Sequence, residues 1–304
     1  MIEDYLKQHY SPDTAKAYKR EIDIYLSNYP TAEKANYAAL TNYIGLLRKR
    51  YSKASTIARI VSSLKVYYNY LCFCGIRNDN PTKAIKLRDK KSRDIQLQDL
   101  FTTDELEILL NRKERYTNLG YRNKVLSSLL IYQALHSGEI ENLLVEHIDL
   151  NTGSIYIKPT FKTNSRTLQL KPNQILLFNT YINEIRPKLL QALKVPPSEI
   201  TEQSESYERS SREAFLLIGI RGGAMSGEDI TKHIKRSFKE RYPNRKVNAQ
   251  TIRQSVITNL LKQGHDLSLV QAFAGHKTPS TTERYKQSEI ETLKAAVNKY
   301  HPIN

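Results

Sequence analysis

The chain has 304 residues, 39% of them hydrophobic, enough for two domains that each bury a core. Lysine and arginine number 47 against 31 acidic residues, a net charge of +16 that points to an anionic partner, with nucleic acid first. No stretch approaches the ~18 apolar residues of a membrane span and no apolar run with a cleavage site follows Met1, so a soluble intracellular protein is expected.

From the N-terminus, Ser11 before Pro12 marks a helix start, and that helix should run to the breaker Asn28-Tyr29-Pro30. A second helix is expected over Ala38–Arg50. From Ser55 the apolar positions Ile57, Ile60, Val61, Leu64, Tyr67, Tyr68 and Leu71 recur at three-and-four spacing, and Gly75 closes that helix. Asn80-Pro81 then opens a short fourth helix. Arg48, Lys49, Arg50, Lys53, Arg59 and Lys65 cluster here with Tyr67, Tyr68 and Tyr70 nearby, which together read as a surface that grips phosphates. The only cysteines, Cys72 and Cys74, stand two apart on a helix, where their side chains diverge; two partly buried reduced thiols are expected. The charged run Arg88–Asp94 reads as a solvated linker.

Beyond it, Thr102-x-x-Glu105 has the form of a capping box, followed by a long helix over about Tyr121–His136 and another through Ile140 and Leu144. Ser154-Ile155-Tyr156-Ile157 and Thr167-Leu168-Gln169-Leu170 have β propensity and enclose a polar stretch, which predicts a hairpin or a three-stranded sheet. Helical patterns resume near Asn173, a polar Ser- and Glu-rich loop is expected between Val195 and Arg212, and the rest is helical almost to the end. The seven histidines lack the spacing that zinc sites favour, so no metal is implied.

Near the C-terminus Arg253 is followed by Gly275-His276, with Tyr285 nine residues beyond that histidine. The set offers a phosphate clamp, a second hydrogen-bonding group and a phenol nucleophile, the parts needed to cut DNA covalently without metal. In three blocks the chain resembles the tyrosine recombinase, or phage integrase, family. Ala134–Ile140 with Ile148-Asp149 follows the family's first box; Lys162 falls where the family keeps a catalytic lysine in a β-turn; and Gln250-x-x-Arg253 through Gly275-His276 to Tyr285 matches the second box in spacing.

The resemblance implies a mainly α fold with a small β-sheet: a helical, SAM-like core-binding domain over 1–87, a linker over 88–101, and an α+β catalytic domain with a C-terminal tail helix over 102–304. It implies that Tyr285 attacks a backbone phosphate of double-stranded DNA to leave a 3′-phosphotyrosyl link, with no cofactor, metal or ATP. Arg253 would hold the phosphate, Lys162 would protonate the leaving oxygen (Lys158 being an alternative), and His276 would donate to the phosphate or steady Tyr285. Glu139 would support the site indirectly. Four protomers would join two duplexes, the tail 291–297 docking in a neighbour through Leu293, Ala296 and Val297, and the enzyme would work in the cytoplasm, bound to a bacterial nucleoid.

Two positions depart from the family pattern: His136 stands where the first box has arginine, and Gln250 where the second has histidine. His136 serves as a cation only if protonated, Gln250 donates through its amide, and alternatively Arg122 or Arg166 reaches in. These departures also motivate a second reading, an inactive accessory protein that only holds DNA. A third, a metal-dependent nuclease using Glu139, Glu141 or Asp149, rests on carboxylates that read as ordinary surface and junction residues.

Overall fold

The computed structural model of the protein describes residues 1–89, 95–110, 115–192, 214–219 and 223–286. The chain divides into two compact units, Met1–Arg93 and Asp94–Asn304.

Among the described residues the first unit has four α-helices, α1 (Ile2–His9), α2 (Pro12–Asn28), α3 (Tyr37–Arg50) and α4 (Ala54–Phe73). The apolar stripe read on α4 is buried at every position, because a three-and-four repeat puts those side chains on one helix face against Ile22, Tyr25, Leu40 and Leu47. The two most buried phenols of this core bond each other and the backbone: Tyr25 and Tyr68 share a hydrogen bond of 2.8 Å, and Tyr68 donates to the carbonyl of Ala32 at 2.8 Å. Burial pushes the Tyr68 phenol far above its usual range. Gly75, at φ +69°, follows α4 as expected.

Four expectations for this unit change. The helix α1 is additional, with Glu3 and Asp4 in its first turn and Lys7 and His9 in its last. Residues 81–84 form a turn and not a fourth helix, since the Asn80 side-chain oxygen Oδ1 accepts from the Thr82 backbone N–H at 2.9 Å and competes with helical bonding. Tyr67 and Tyr68 are core residues, 3% and 0% exposed, and so belong to no outer surface. Cys72 is half-buried but Cys74 is exposed.

In the second unit, α5 (Thr103–Leu110) starts at the expected capping box: the Thr102 backbone donates to Glu105 at 2.9 Å, and the Glu105 backbone to the Thr102 hydroxyl at 3.3 Å. Next comes α6 (Thr117–Tyr132), whose Val125, Leu126, Leu129 and Leu130 are fully buried at the centre of the core. It stops at Tyr132, short of the expected His136, and Ala134 takes a left-handed backbone, φ +50°. For a residue with a Cβ that conformation is strained. The helix α7 is short, Ser137–Glu141.

The sheet is three-stranded and antiparallel, β1 (Ile148–Asp149), β2 (Ser154–Ile157) and β3 (Arg166–Gln169) in that order. On β2, Ile155 and Ile157 point inward while Tyr156 points out, the period of two that a one-faced strand requires. After it come α8 (Pro172–Thr180), a π-helical turn Tyr181–Ile185, α9 (Arg186–Ala192), α10 (Gly227–Phe238), α11 (Ala249–Lys262) and α12 (Leu267–Ala274); residues 279–286 are again helical. The predicted polar loop 195–212 and tail helix 291–297 lie outside the described residues, as does part of the predicted linker.

Candidate active site

Arg253 lies one turn into α11, whose N-terminus is fixed by Asn248 accepting from the Thr251 backbone at 2.9 Å. Its side chain is 1% exposed, with one terminal nitrogen donating to the carbonyl of Ala134 and the other to that of Ala274. The strained turn at Ala134 thus aims a carbonyl at the guanidinium and orients it. Burial lowers the Arg253 pKa to about 10, which leaves it a cation at neutral pH.

Facing it is Glu139 of α7, also buried. Arg166, the first residue of β3, donates to both of its carboxylate oxygens, Nη1 at 2.8 Å and Nη2 at 3.0 Å, while the Thr163 hydroxyl and the His136 backbone add bonds of 2.8 and 2.9 Å. Arg253 is 3.9 Å away. Burial pushes the Glu139 carboxyl up, but the hydrogen bonds and charge of Arg166, with the His136 N–H and Arg253, outweigh it and hold the pKa at about 2. Arg166 Nε is buried without a hydrogen-bond partner.

His136, half-buried, is pulled down to about 4 by burial and then by Arg253, so it is neutral at pH 7. In that neutral form it adds no positive charge to the pocket of the protein alone. Lys162 contributes to the same lowering, which puts its charge beside this pocket. It is exposed with Phe161 at the tip of a tight turn closed by the Thr160 backbone donating to the Thr163 carbonyl at 2.9 Å. The turn is tied to the histidine segment: Thr163 bridges to His276, and the Asn164 backbone donates to the Gly275 carbonyl at 2.8 Å. Gly275 ends α12 at φ +68°, and a Cβ there would stand 2.6 Å from Arg166 Nη1. Only glycine fits both demands.

His276 shares a hydrogen bond of 2.8 Å between its Nδ1 and the Thr282 hydroxyl. Burial, then Arg253, lowers its pKa to about 3. The ring of Tyr285 stacks on it, centroids 6.0 Å apart and planes within 14°. Tyr285 is 6% exposed, packed with Ile257, Val270 and Ala274. Burial raises its phenol pKa, opposed by Arg253 and Arg284, so the hydroxyl is protonated at neutral pH. Phenol, imidazole and guanidinium therefore occupy one pocket of a single chain.

Of the remaining predicted residues, Gln250 is exposed in the first turn of α11, three residues before Arg253, and its side chain makes no hydrogen bond among the described residues. Arg122 turns away, donating to the Ile218 carbonyl at 2.9 Å and to Asn123. Lys158 lies 4.0 Å from Glu146. Of the basic cluster in the first unit, Arg48, Lys49, Arg50 and Lys53 are exposed, Arg48 reaching Asp89 at 3.0 Å. Arg59 is drawn to buried Glu21 at 2.8 Å, and Lys65 donates to the Ile85 carbonyl at 2.9 Å, so both serve the unit's own packing. A second cationic face went unnoticed in the sequence: Lys232, Lys235 and Arg236 on α10 and Lys239 at its C-cap are exposed while Ile230, Ile234 and Phe238 are buried. Their i, i+3, i+4, i+7 spacing carried the signal. Thr163 and Thr282 were missed too, since nothing in their local sequence marks a buried hydroxyl. Among the described residues no group of three or more His, Cys, Asp or Glu is placed to hold a metal ion, and no helix is long and apolar enough to cross a membrane.

Residues 99–291 match the phage integrase family, and residues 3–73 match the phage integrase N-terminal SAM-like domain. The chain belongs to the phage integrase family of tyrosine recombinases. It is a DNA strand-transferring enzyme of site-specific recombination, and the inactive reading is not favoured. Similar proteins include the tyrosine recombinase XerD of Oceanobacillus iheyensis, 26% identical over 99% of this chain and 98% of that one. XerD of Listeria monocytogenes is 24% identical over the same shares. Among solved structures, the fold resembles the XerH site-specific recombinase bound to difH substrate in a pre-cleavage complex, with TM-score 0.61, 19% identity, and 90% of this chain and 76% of that one covered. The Tn1549 transposon integrase in complex with transposon right-end DNA gives TM-score 0.60 at 15% identity, covering 95% and 96%.

Proposed function

We propose that this recombinase cuts duplex DNA with Tyr285 as nucleophile. The observation that carries the assignment is the stack of Tyr285 on His276 beside the buried Arg253. The phenolic oxygen forms a bond to the scissile phosphorus as its proton passes to solvent water; the bond to the 5′-oxygen breaks, and Lys162 gives that oxygen a proton. What remains is a 3′-phosphotyrosyl link and a free 5′-hydroxyl, which reverses the step on a partner strand. Arg253, with two of its nitrogens fixed by carbonyls, has N–H groups left to meet the charge that grows on the non-bridging oxygens. His276, its ring set by Thr282, presents Nε2 to the phosphate, and Gln250 donates its amide from the exposed rim.

In this reading residues 1–87 form a core-binding domain that grips DNA through Arg48, Lys49, Arg50 and Lys53, and the cationic face of α10 adds phosphate contacts from the catalytic domain, residues 102–304. DNA-bound structures of XerH and of the Tn1549 integrase support duplex DNA as the partner. Four protomers join two duplexes, the tail of one docking on the next. An apolar cavity of about 420 Å³ in the catalytic unit, lined by Leu106, Ile131, Val256, Leu269 and Phe273, suits the apolar tail positions Leu293, Ala296 and Val297. The site of action is the cytoplasm, on nucleoid DNA.

The test is covalent trapping. A duplex nicked near the cleavage point lets the cut end diffuse away, so the wild type should accumulate a protein–DNA adduct that survives denaturation and EDTA. Tyr285→Phe should form none. Adduct formation by the Phe variant would remove Tyr285 from the chemistry.

A further inference from the structure

The first box of this chain contributes a neutral histidine where the family has a permanent cation, yet the pocket must still attract a phosphate. The charges around Glu139 show how. Its carboxylate lies between two guanidinium groups, bonded through both oxygens to Arg166 and 3.9 Å from Arg253, and all three side chains are buried. One negative and two positive charges leave the triad with a net positive charge. We infer that Arg166 is a positioning residue that holds and cancels the carboxylate of Glu139, so that Arg253 keeps its charge and its unbonded N–H groups for the DNA phosphate. This inference rests on the phosphotyrosyl reading of the site.

The geometry explains why a second arginine is needed here. Glu139 also anchors the pocket, accepting from the His136 backbone and from the Thr163 hydroxyl beside the Lys162 turn. A carboxylate so useful as a hub would, with no other cation, turn onto Arg253, the next nearest one, and neutralise the group meant for the substrate. Arg166 prevents this with a fork matched to both carboxylate oxygens, a geometry lysine cannot reproduce. Gly275 leaves room for that fork, since any side chain there would collide with Arg166 Nη1.

A merely structural ion pair would behave differently. Removing either partner of such a pair strands a buried charge, so both single variants would suffer alike. The inferred role is asymmetric. Loss of Arg166 leaves Glu139 to disable Arg253, whereas loss of the Glu139 charge leaves Arg253 active.

The experiment uses the full chain and a pool of duplexes of random sequence, each nicked at its centre; the duplex most enriched in wild-type adduct then serves every variant, below the unfolding temperature of each. Arg166→Gln is expected to lower the adduct rate about 100-fold, the scale for a lost preorganised charge, and Glu139→Gln no more than about tenfold. Combining the two should recover at least about tenfold over Arg166→Gln alone, because the pair is coupled. Arg166→Lys should fall between wild type and Arg166→Gln. Binding of the same duplex, read by gel shift, should change far less than the adduct rate. Equal losses in both single variants with no recovery in the double would overturn the inference, as would a loss of binding as large as the loss of rate. The two levels separate cleanly. A wild type that forms no adduct ends the phosphotyrosyl reading and the inference with it; an active wild type with an unrescued double variant ends the inference alone.

Discussion

Each unit of this protein buries a glutamate between two arginines, and the two clusters differ in where the arginines stand. Glu21 in the first unit accepts from Arg20 and Arg59, whose side chains are 67% and 38% exposed. Glu139 in the second is flanked by Arg166 and Arg253, 6% and 1% exposed. Water screens the first set, so its carboxylate is an anchor with modest energy behind it. Around Glu139 there is little water to do so, and each charge there strongly biases its neighbours, as the large shifts of His136, Glu139 and Arg253 record. A similar triad of residues is thus a fold support in one unit and an electrostatic device in the other.

The comparison breaks most sharply at the arginines. Arg253→Ala should lower adduct formation by about 10²–10³-fold, the scale for losing a preorganised donor, and Arg253→Lys should recover little because a point charge cannot span both carbonyls and phosphate. Arg59→Ala should leave the adduct rate at saturating DNA unchanged; a comparable loss there would erase the distinction between the units. The glutamates come next. Glu139→Gln should cost about 3 kcal/mol of stability as a broken buried pair, and Glu21→Gln about 1 kcal/mol or less, read by urea unfolding. Equal costs would show that exposure of the arginines does not matter.

Acid titration sharpens the contrast. His276 and His136, held at about 3 and 4, are neutral in the folded protein, so the stability they contribute is complete above the free-histidine value of ~6.5 and is lost as pH falls below it. Glu139, depressed to about 2, adds a loss that begins below ~4.5 as the unfolded carboxyl takes up its proton. The thermal midpoint should therefore fall from pH 7 to pH 5, and less steeply in His276→Asn. An identical slope in that variant would mean that the imidazole is protonated in the fold. The smallest effect concerns salt: replacing Lys235 or Arg50 by Ala should flatten the salt dependence of DNA binding by about one unit each, and Arg59→Ala by less, since Glu21 already engages it.

How much of this was visible beforehand follows from the range over which each signal acts. The stripe on α4, the capping box at Thr102 and the strands around Ile155 and Leu168 are local patterns, and the structure has them within a few residues. The end of α6 was not legible, because the break at Ala134 is imposed by the remote Arg253 that its carbonyl serves, and no residue near Ala134 announces it. Within the site, Arg253, His276 and Tyr285 were found through their spacing along one stretch of chain. The Glu139–Arg166 pair joins residues 27 apart on a helix and a strand, and only the folded register of β2 with β3 brings them together. The cationic face of α10 is legible in the i, i+3, i+4, i+7 spacing of its basic residues, though the basic cluster of the first unit is denser.

The backbone tie between the Lys162 turn and the segment Gly275-His276 has a mechanical outcome. Lys162 and the imidazole of His276 sit on one welded piece of main chain, so under the proposed mechanism any loosening of the hairpin would withdraw both groups from the scissile bond together. Partial disarmament, with the lysine out and the histidine in place, would require rupture of the Asn164–Gly275 hydrogen bond. Under that mechanism, cutting competence in a protomer would be a single mechanical setting, thrown by whatever presses on this hairpin.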